Sequence, residues 1–182
     1  VYGVLDPPEA ETNINCWGSA HHQAWSIISD DNGATWSEPI PIDNRGCDDK
    51  GEPIDGNMDL TEASVVEVED NKVLALTRPV YSPWMWESWS EDGGRTWGPC
   101  VRGAFASYAW SNMIKIADGT LVVAGRFPGL TVHCGRDLGM FWDHGTMIDS
   151  GTWAMGSMLE IEDNLVLYVY WDTYGGKMRG QR

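Results

Sequence analysis

Glu62, Arg78 and Arg126 are the residues of this sequence whose types and spacing offer chemistry. A guanidinium is a rigid, charged fork that grips a carboxylate through two parallel hydrogen bonds. Two such forks beside one carboxylate make an anion clamp with a base or acid built in. Glu62 stands sixteen residues before Arg78, the length of one hairpin. Asp55 and Asp59 lie just upstream and are candidates for the second carboxylate that proton-transfer chemistry calls for. Trp84, Trp86, Trp110 and Trp153 are candidates to wall a pocket, because indole faces stack on sugar rings as readily as they pack cores. Each residue also has an ordinary reading: Glu62 as a plain ion-pair partner of Arg78, and Arg78, just before Pro79, as a solvated strand end.

Composition narrows the ligand. The 182 residues carry a net charge of −15, and no stretch can form the phosphate-neutralising stripe that nucleic acid demands. No run of 18 apolar residues exists, so no membrane span is expected. The segment VYGVLDPPEAET shows no basic leader region. Cys16, Cys47, Cys100 and Cys134 have no CxxC spacing, and His21, His22, His133 and His144 lack metal-ligand spacing. No cofactor or metal site is therefore expected. His133 reads as an ordinary strand residue. Eleven Trp and 21 Gly fit short strands, tight turns and indole-covered surfaces.

The elements that position these residues are legible as repeats. Ser29-Asp30-Asp31-Asn32-Gly33-Ala34-Thr35-Trp36 and Ser90-Glu91-Asp92-Gly93-Gly94-Arg95-Thr96-Trp97 share Ser-x-Asp-x-Gly-x-Thr-Trp, and Gly135–Trp142 keeps only Asp-x-Gly-x-x-Trp. Each reads as a hairpin turn fastened by its Asp, with Gly at positive φ. A second repeat precedes the boxes: Ser64 to Arg78, Asn112 to Arg126 and Ser157 to Trp171. Each is an alternating strand, an Asp-Asn or Asp-Gly turn and a more apolar strand, the pattern of a β-hairpin.

Together the two repeats make a four-stranded antiparallel unit, and the fold class expected is all-β, a β-propeller of such blades. One partial propeller domain is expected over 1–182. It contains an incomplete blade at 1–42, whole blades at 61–104 and 109–149, and an incomplete blade at 155–182. About three blades of a six-bladed ring are then present, so the chain is either part of a longer protein or an arc completed by a homo-oligomer. In such a blade the boxes and hairpin turns share one face and serve as scaffold. Glu62, Trp110, Met155, Arg78, Arg126 and Trp171 fall at the opposite face. The acidic, Gly-rich insertion over 43–60 lies there too, as a solvated lid or a cation-binding loop without EF-hand spacing.

The boxes, with Thr61-Glu62-Ala63-Ser64-Val65-Val66 running to Thr77-Arg78, resemble the sialidase (neuraminidase) superfamily with bacterial neuraminidase repeats, over roughly residues 23–171. The resemblance implies a six-bladed ring, arginines holding a substrate carboxylate, and a Tyr nucleophile activated by a Glu. Glu62 matches that Glu, Arg78 the second family arginine and Arg126 the third, while the Tyr position falls on Met155, whose thioether cannot replace a phenolate. A sialidase-like glycoside hydrolase acting on a terminal acidic or deoxy sugar is the activity implied, with a glycan or small acidic sugar as partner and a secreted or periplasmic setting. A non-catalytic carbohydrate-binding or adhesion propeller and a structural protein–protein module are the alternatives.

Overall fold

A computed structural model of the chain describes residues 2–4, 22–45, 50, 59–79, 84–107, 112–126, 128–150, 155–172 and 176–181. Among them every regular element is a β-strand except one 3-10 turn at Asp137–Gly139. No described helix is long and apolar enough to cross a membrane.

The three predicted hairpins form. Strands β4 (Leu60–Glu69) and β5 (Lys72–Pro79) pair antiparallel, as do β8 (Asn112–Lys115) with β9 (Leu121–Gly125) and β13 (Met155–Glu162) with β14 (Leu165–Asp172). Their turns place Asn71, Gly119 and Asn164 at φ +62°, +87° and +61°, the left-handed region that Gly and Asn tolerate best. A glutamate fastens two of the turns: Glu67 accepts the Asn71 N–H at 2.9 Å, and Glu160 accepts that of Asn164 at 2.7 Å.

Each hairpin belongs to a larger antiparallel sheet. Strands β4 and β5 continue into β6 (Trp84–Ser90) and β7 (Val101–Ala106), in the order β4-β5-β6-β7. In the next sheet β10 (Leu130–Arg136) follows β9, but its outer partner is split into β11 (Phe141–Trp142) and β12 (Thr146–Asp149). The break falls where the Asp143 carboxylate accepts the N–H groups of Cys134 and Gly145, both at 3.0 Å. The last sheet is β13-β14-β15, with β15 at Lys177–Gln181, and the first is β1 (Tyr2–Val4), β2 (His22–Ser26) and β3 (Ile40–Pro41). No sheet closes on itself among the described residues.

The sheets stack in chain order. Ala24 and Ile42 meet Leu60, Ala75 and Cys100 between the first and second sheets. Val68, Leu74, Leu76, Met85 and Phe105 meet Met113, Leu121 and Val123 between the second and third. Val122, Ala124 and Leu130 meet Met158, Tyr168 and Tyr170 between the third and fourth. Side chains of β5 thus point alternately into two apolar layers, which is why Leu74-Ala75-Leu76 is an unbroken buried run. Each fully buried Leu contributes about 1.5–3 kcal/mol. Strand β8 lies between β4 and β13, and a polar bond recurs along that row. Ser64 Oγ accepts the Met113 N–H at 3.1 Å, and Asn112 Oδ1 accepts that of Met158 at 2.8 Å.

The first two boxes are fastened turns. Asp31 accepts the backbone N–H of Thr35 at 2.8 Å and its hydroxyl at 2.6 Å, and Asp92 does the same for Thr96 at 2.8 and 2.7 Å. These bonds, the threonine hydroxyl first, hold both carboxyls down at about 2. The second box leans on the first sheet: Trp97 Nε1 donates to Ser26 Oγ at 3.0 Å, and Arg95 pairs with Asp30 at 3.0 Å. The third is built differently. It is the 3-10 turn, with Asp137 and Leu138 at φ +54° and +60°. Without the Ser and Thr of the other boxes, the Asp137 carboxylate accepts no hydrogen bond from a described residue. Its main-chain oxygen takes the Met140 N–H at 3.1 Å instead.

Candidate functional site

Boxes and hairpin turns gather at one end of the sheets. Gly93 N donates to the Asn71 carbonyl at 2.7 Å, tying the second box to the β4–β5 turn, and one cavity is lined by both the β8–β9 turn and the third box. Glu62, Arg78 and Arg126 lie at the other ends of their strands.

Glu62 occupies an irregular stretch of β4. The β4–β5 register pairs Thr61 with Arg78 and shifts between Thr61 and Ser64. Glu62 takes up that bulge at φ +48°, and Asp59 just upstream is at +49°. Side chains other than Gly and Asn rarely hold this region, and such a conformation persists only where its surroundings fix it. Two contacts fix it here. Thr61, fully buried, donates its hydroxyl to the Arg78 carbonyl at 2.8 Å. Asp59, also buried, accepts the His22 N–H at 2.8 Å, which ties the entry of β4 to the first sheet.

The bulge turns the Glu62 carboxylate onto Arg78. Arg78 Nη1 donates to Glu62 Oε2 at 3.1 Å, with side chains 18% and 11% exposed. At that burial the pair is poorly screened by solvent. Arg126, just past β9 on the next sheet, lies within the field of both. Burial lowers its pKa, Glu62 raises it, Arg78 lowers it and Tyr168 raises it. Together these three side chains carry two guanidinium charges and one carboxylate, a net positive charge in a chain of −15.

The candidate tryptophans separate. Trp84 stacks on Arg102 of the edge strand, the guanidinium carbon 4.8 Å from the ring centre. Trp86 packs into the layer between the first and second sheets, its Nε1 buried and without a hydrogen-bond partner among the described residues. Asp55, Trp110 and Trp153 lie outside the described residues. Met155 begins β13 opposite Trp171, which is partly exposed. No group of three or more His, Cys, Asp or Glu is arranged to hold a metal ion among the described residues. Cys134 is a free thiol and Cys100 is buried, and His133 is a buried strand residue stacked on Phe105 at 4.2 Å.

One site residue is not read from the sequence. Tyr168 in β14 is within electrostatic reach of Arg126, and its phenol is pushed up to about 12 by burial first and Tyr170 second. Its alternation with Tyr170 looks like plain strand packing. The signal that finds it is Gly156 on the facing strand, where the Tyr168 ring crosses.

The same architecture occurs in solved structures. A protein of unknown function from Dyadobacter fermentans superposes with a TM-score of 0.66 at 18% identity, over 88% of this chain and 44% of that one. The NanB sialidase from Streptococcus pneumoniae superposes with a TM-score of 0.60 at 19% identity, over 84% of this chain and 25% of that one. A Hadza microbial sialidase gives 0.50 at 21% identity, over 82% and 41%. The likeness is one of fold. The chain spans less than half the length of each of these proteins. No family model matches it, and no curated protein matches it in sequence.

Proposed function

We propose that the chain is an arc of a six-bladed, sialidase-like β-propeller whose Glu62–Arg78–Arg126 cluster holds a terminal acidic sugar for hydrolysis. The observation that carries this reading is the Glu62–Arg78 pair at 3.1 Å with Arg126 in the same field. A carboxylate-bearing ligand meets two guanidiniums there, a match of charge and of planar geometry. In this reading each sheet is a whole or partial blade, the blades run over 1–42, 61–104, 109–149 and 155–182, and Trp84, Trp110 and Trp153 are the tryptophans proposed for the pocket rim.

Glu62 is the carboxylate of the reaction. Its oxygen, held by Arg78, is in place as a base toward water or a ligand hydroxyl. Asp59, which holds the His22 N–H through one oxygen, and Asp55 are the candidate acids. The position of the family nucleophile carries Met155, so water is the attacking group proposed. The test is turnover of 4-nitrophenyl glycosides of an acidic and a neutral sugar. Glu62→Gln should lower turnover of the acidic substrate ~10²–10⁴-fold while the protein stays folded, its melting temperature falling only by the loss of the ion pair with Arg78. Turnover within a few-fold of the parent would sink the assignment.

Met155 favours a second reading, a carbohydrate-binding propeller without turnover. Saturable binding of the acidic sugar with no product released would support it. A structural protein–protein module is favoured if loss of Arg78 leaves every ligand interaction intact.

A further inference from the structure

We infer that Tyr168 is a ligand-contacting hydrogen-bond donor of the Arg126 site, admitted there by Gly156; this rests on the anion-binding reading above. Tyr168 is only 4% exposed and packs in the layer between the third and fourth sheets, with Ala124, two residues before Arg126. Its ring does not point straight across that layer. In the register Tyr168 pairs with Met158, and Tyr170 pairs with Gly156. Yet the hydroxyl-bearing Cζ of Tyr168 comes within 2.8 Å of the place a β-carbon on Gly156 would occupy. The ring therefore runs along the sheet toward the start of β13, the end at which Glu62, Arg78 and Arg126 lie. A side chain at 156 would have to displace this ring as well as the Val169 carbonyl and the Tyr170 β-carbon, which lie nearer still.

Two further features mark the hydroxyl as more than packing. Tyr170, stacked on it at 5.4 Å, has its hydroxyl fixed on Asp149 Oδ2 at 2.9 Å. The Tyr168 hydroxyl accepts or donates no hydrogen bond to a described residue, and its charged neighbour is Arg126. A Phe would fill the same apolar space. The phenol stays protonated across the working pH range, so it offers an O–H to an anion held by the guanidinium and adds no charge of its own. Beside Arg126 it favours a ligand carboxylate over an ester, because a hydrogen bond to a charged acceptor is about twice as strong as one to a neutral acceptor.

The test is calorimetric titration of the full chain with N-acetylneuraminic acid and with its methyl ester, for the parent and for Tyr168→Phe. The inference expects the parent to prefer the acid. Y168F should weaken acid binding by roughly tenfold to a hundredfold, the scale of a hydrogen bond to a charged group, change ester binding little and leave the melting temperature unchanged. Equal acid affinity in parent and Y168F would overturn the inference and leave the anion-binding reading standing. A fall in melting temperature with equal losses for acid and ester would overturn it too, by making the ring structural. No binding by the parent would remove the functional reading and the inference with it.

Discussion

At the scale of single residues, the Arg78–Glu62 contact is the feature on which the site turns. Removing one partner of a partly buried ion pair strands the other charge away from water. The cost falls between the near-zero worth of surface pairs and the larger cost of breaking buried ones, ~1–4 kcal/mol. Arg78→Ala should therefore lower stability by about that much in a urea melt and abolish binding of the acidic sugar. Arg78→Lys separates the two effects. A lysine restores the charge opposite Glu62 but is a point donor that cannot grip a carboxylate through two parallel bonds. Stability should return toward the parent value while acidic-sugar affinity stays weak. Full recovery of affinity in R78K would show that charge alone suffices and that the fork is incidental. The residues of this pair are legible in the sequence because topology alone puts strand starts and strand ends on one face. The geometry that makes them touch is not. A positive φ at Glu62 arises from a bulge between Thr61 and Ser64, and a glutamate carries no local signal for that conformation. Tyr168 escapes for a related reason: its importance lies in a glycine on the neighbouring strand, visible only once the register is known.

At the scale of elements, the boxes and the inter-sheet layers carry opposite pH signatures. Asp92 is held at about 2, the Thr96 hydroxyl being the first cause, below its ordinary value of 3.8. A depressed acid contributes stability that is fully present above its unfolded pKa and is lost as pH falls through the folded one. Asp92→Ala should thus lower the melting temperature at pH 7, and the gap to the parent should close as pH drops from about 4 to about 2. A gap that persists at pH 2 would assign the loss to something other than the carboxylate. Glu87 works the other way. It faces the layer between the second and third sheets, with its carboxyl against Gly103, and burial pushes its pKa from 4.5 up to about 7. The indoles of Trp89 and Trp142 incline toward it and pull the value partway back, although Trp142 Nε1 falls short of hydrogen-bond geometry. Between pH 4.5 and 7 the unfolded chain has lost this proton and the folded chain keeps it, so stability falls with rising pH by ~2–3 kcal/mol. Glu87→Gln should flatten that slope in melts taken from pH 5 to 8 and be the more stable protein at pH 8. An unchanged slope would refute the assignment. The elements themselves are legible where a side chain is tied to its own turn, as in the two full boxes and the three hairpins. The third box keeps its Asp, Gly and Trp yet folds as a 3-10 turn, because without Ser and Thr the carboxylate has nothing to fasten.

At the scale of the whole molecule, the question is what lies beyond the fourth sheet. Each of the first three sheets packs an apolar face on the sheet that follows it. The fourth has a face of the same character: Leu159 and Met178 are 65% and 67% exposed, and Trp171 is 45% exposed. Leu159 pairs with Leu167, two strand steps of two from Trp171, and Trp171 pairs with Met178, so these residues share one side of the sheet. The row of polar bonds continues to the same place, since Ser157 holds the position at which Ser64 and Asn112 each accept an N–H from the next sheet. A surface built to receive another sheet is an apolar patch of the kind that drives association when left open. The net charge of −15 opposes contact between copies, and salt screens that repulsion. The 20.2 kDa chain should therefore show a solution mass above that of a monomer by light scattering, rising as salt is raised. Leu159→Glu places a charge on an already exposed position, so it should cost the fold little and return the mass to that of a monomer. A parent that stays monomeric at every salt concentration would mean that this face tolerates water, and that ring completion by a second copy is wrong. A self-association untouched by L159E would place the contact elsewhere on the molecule and remove the argument that the fourth sheet is the joint.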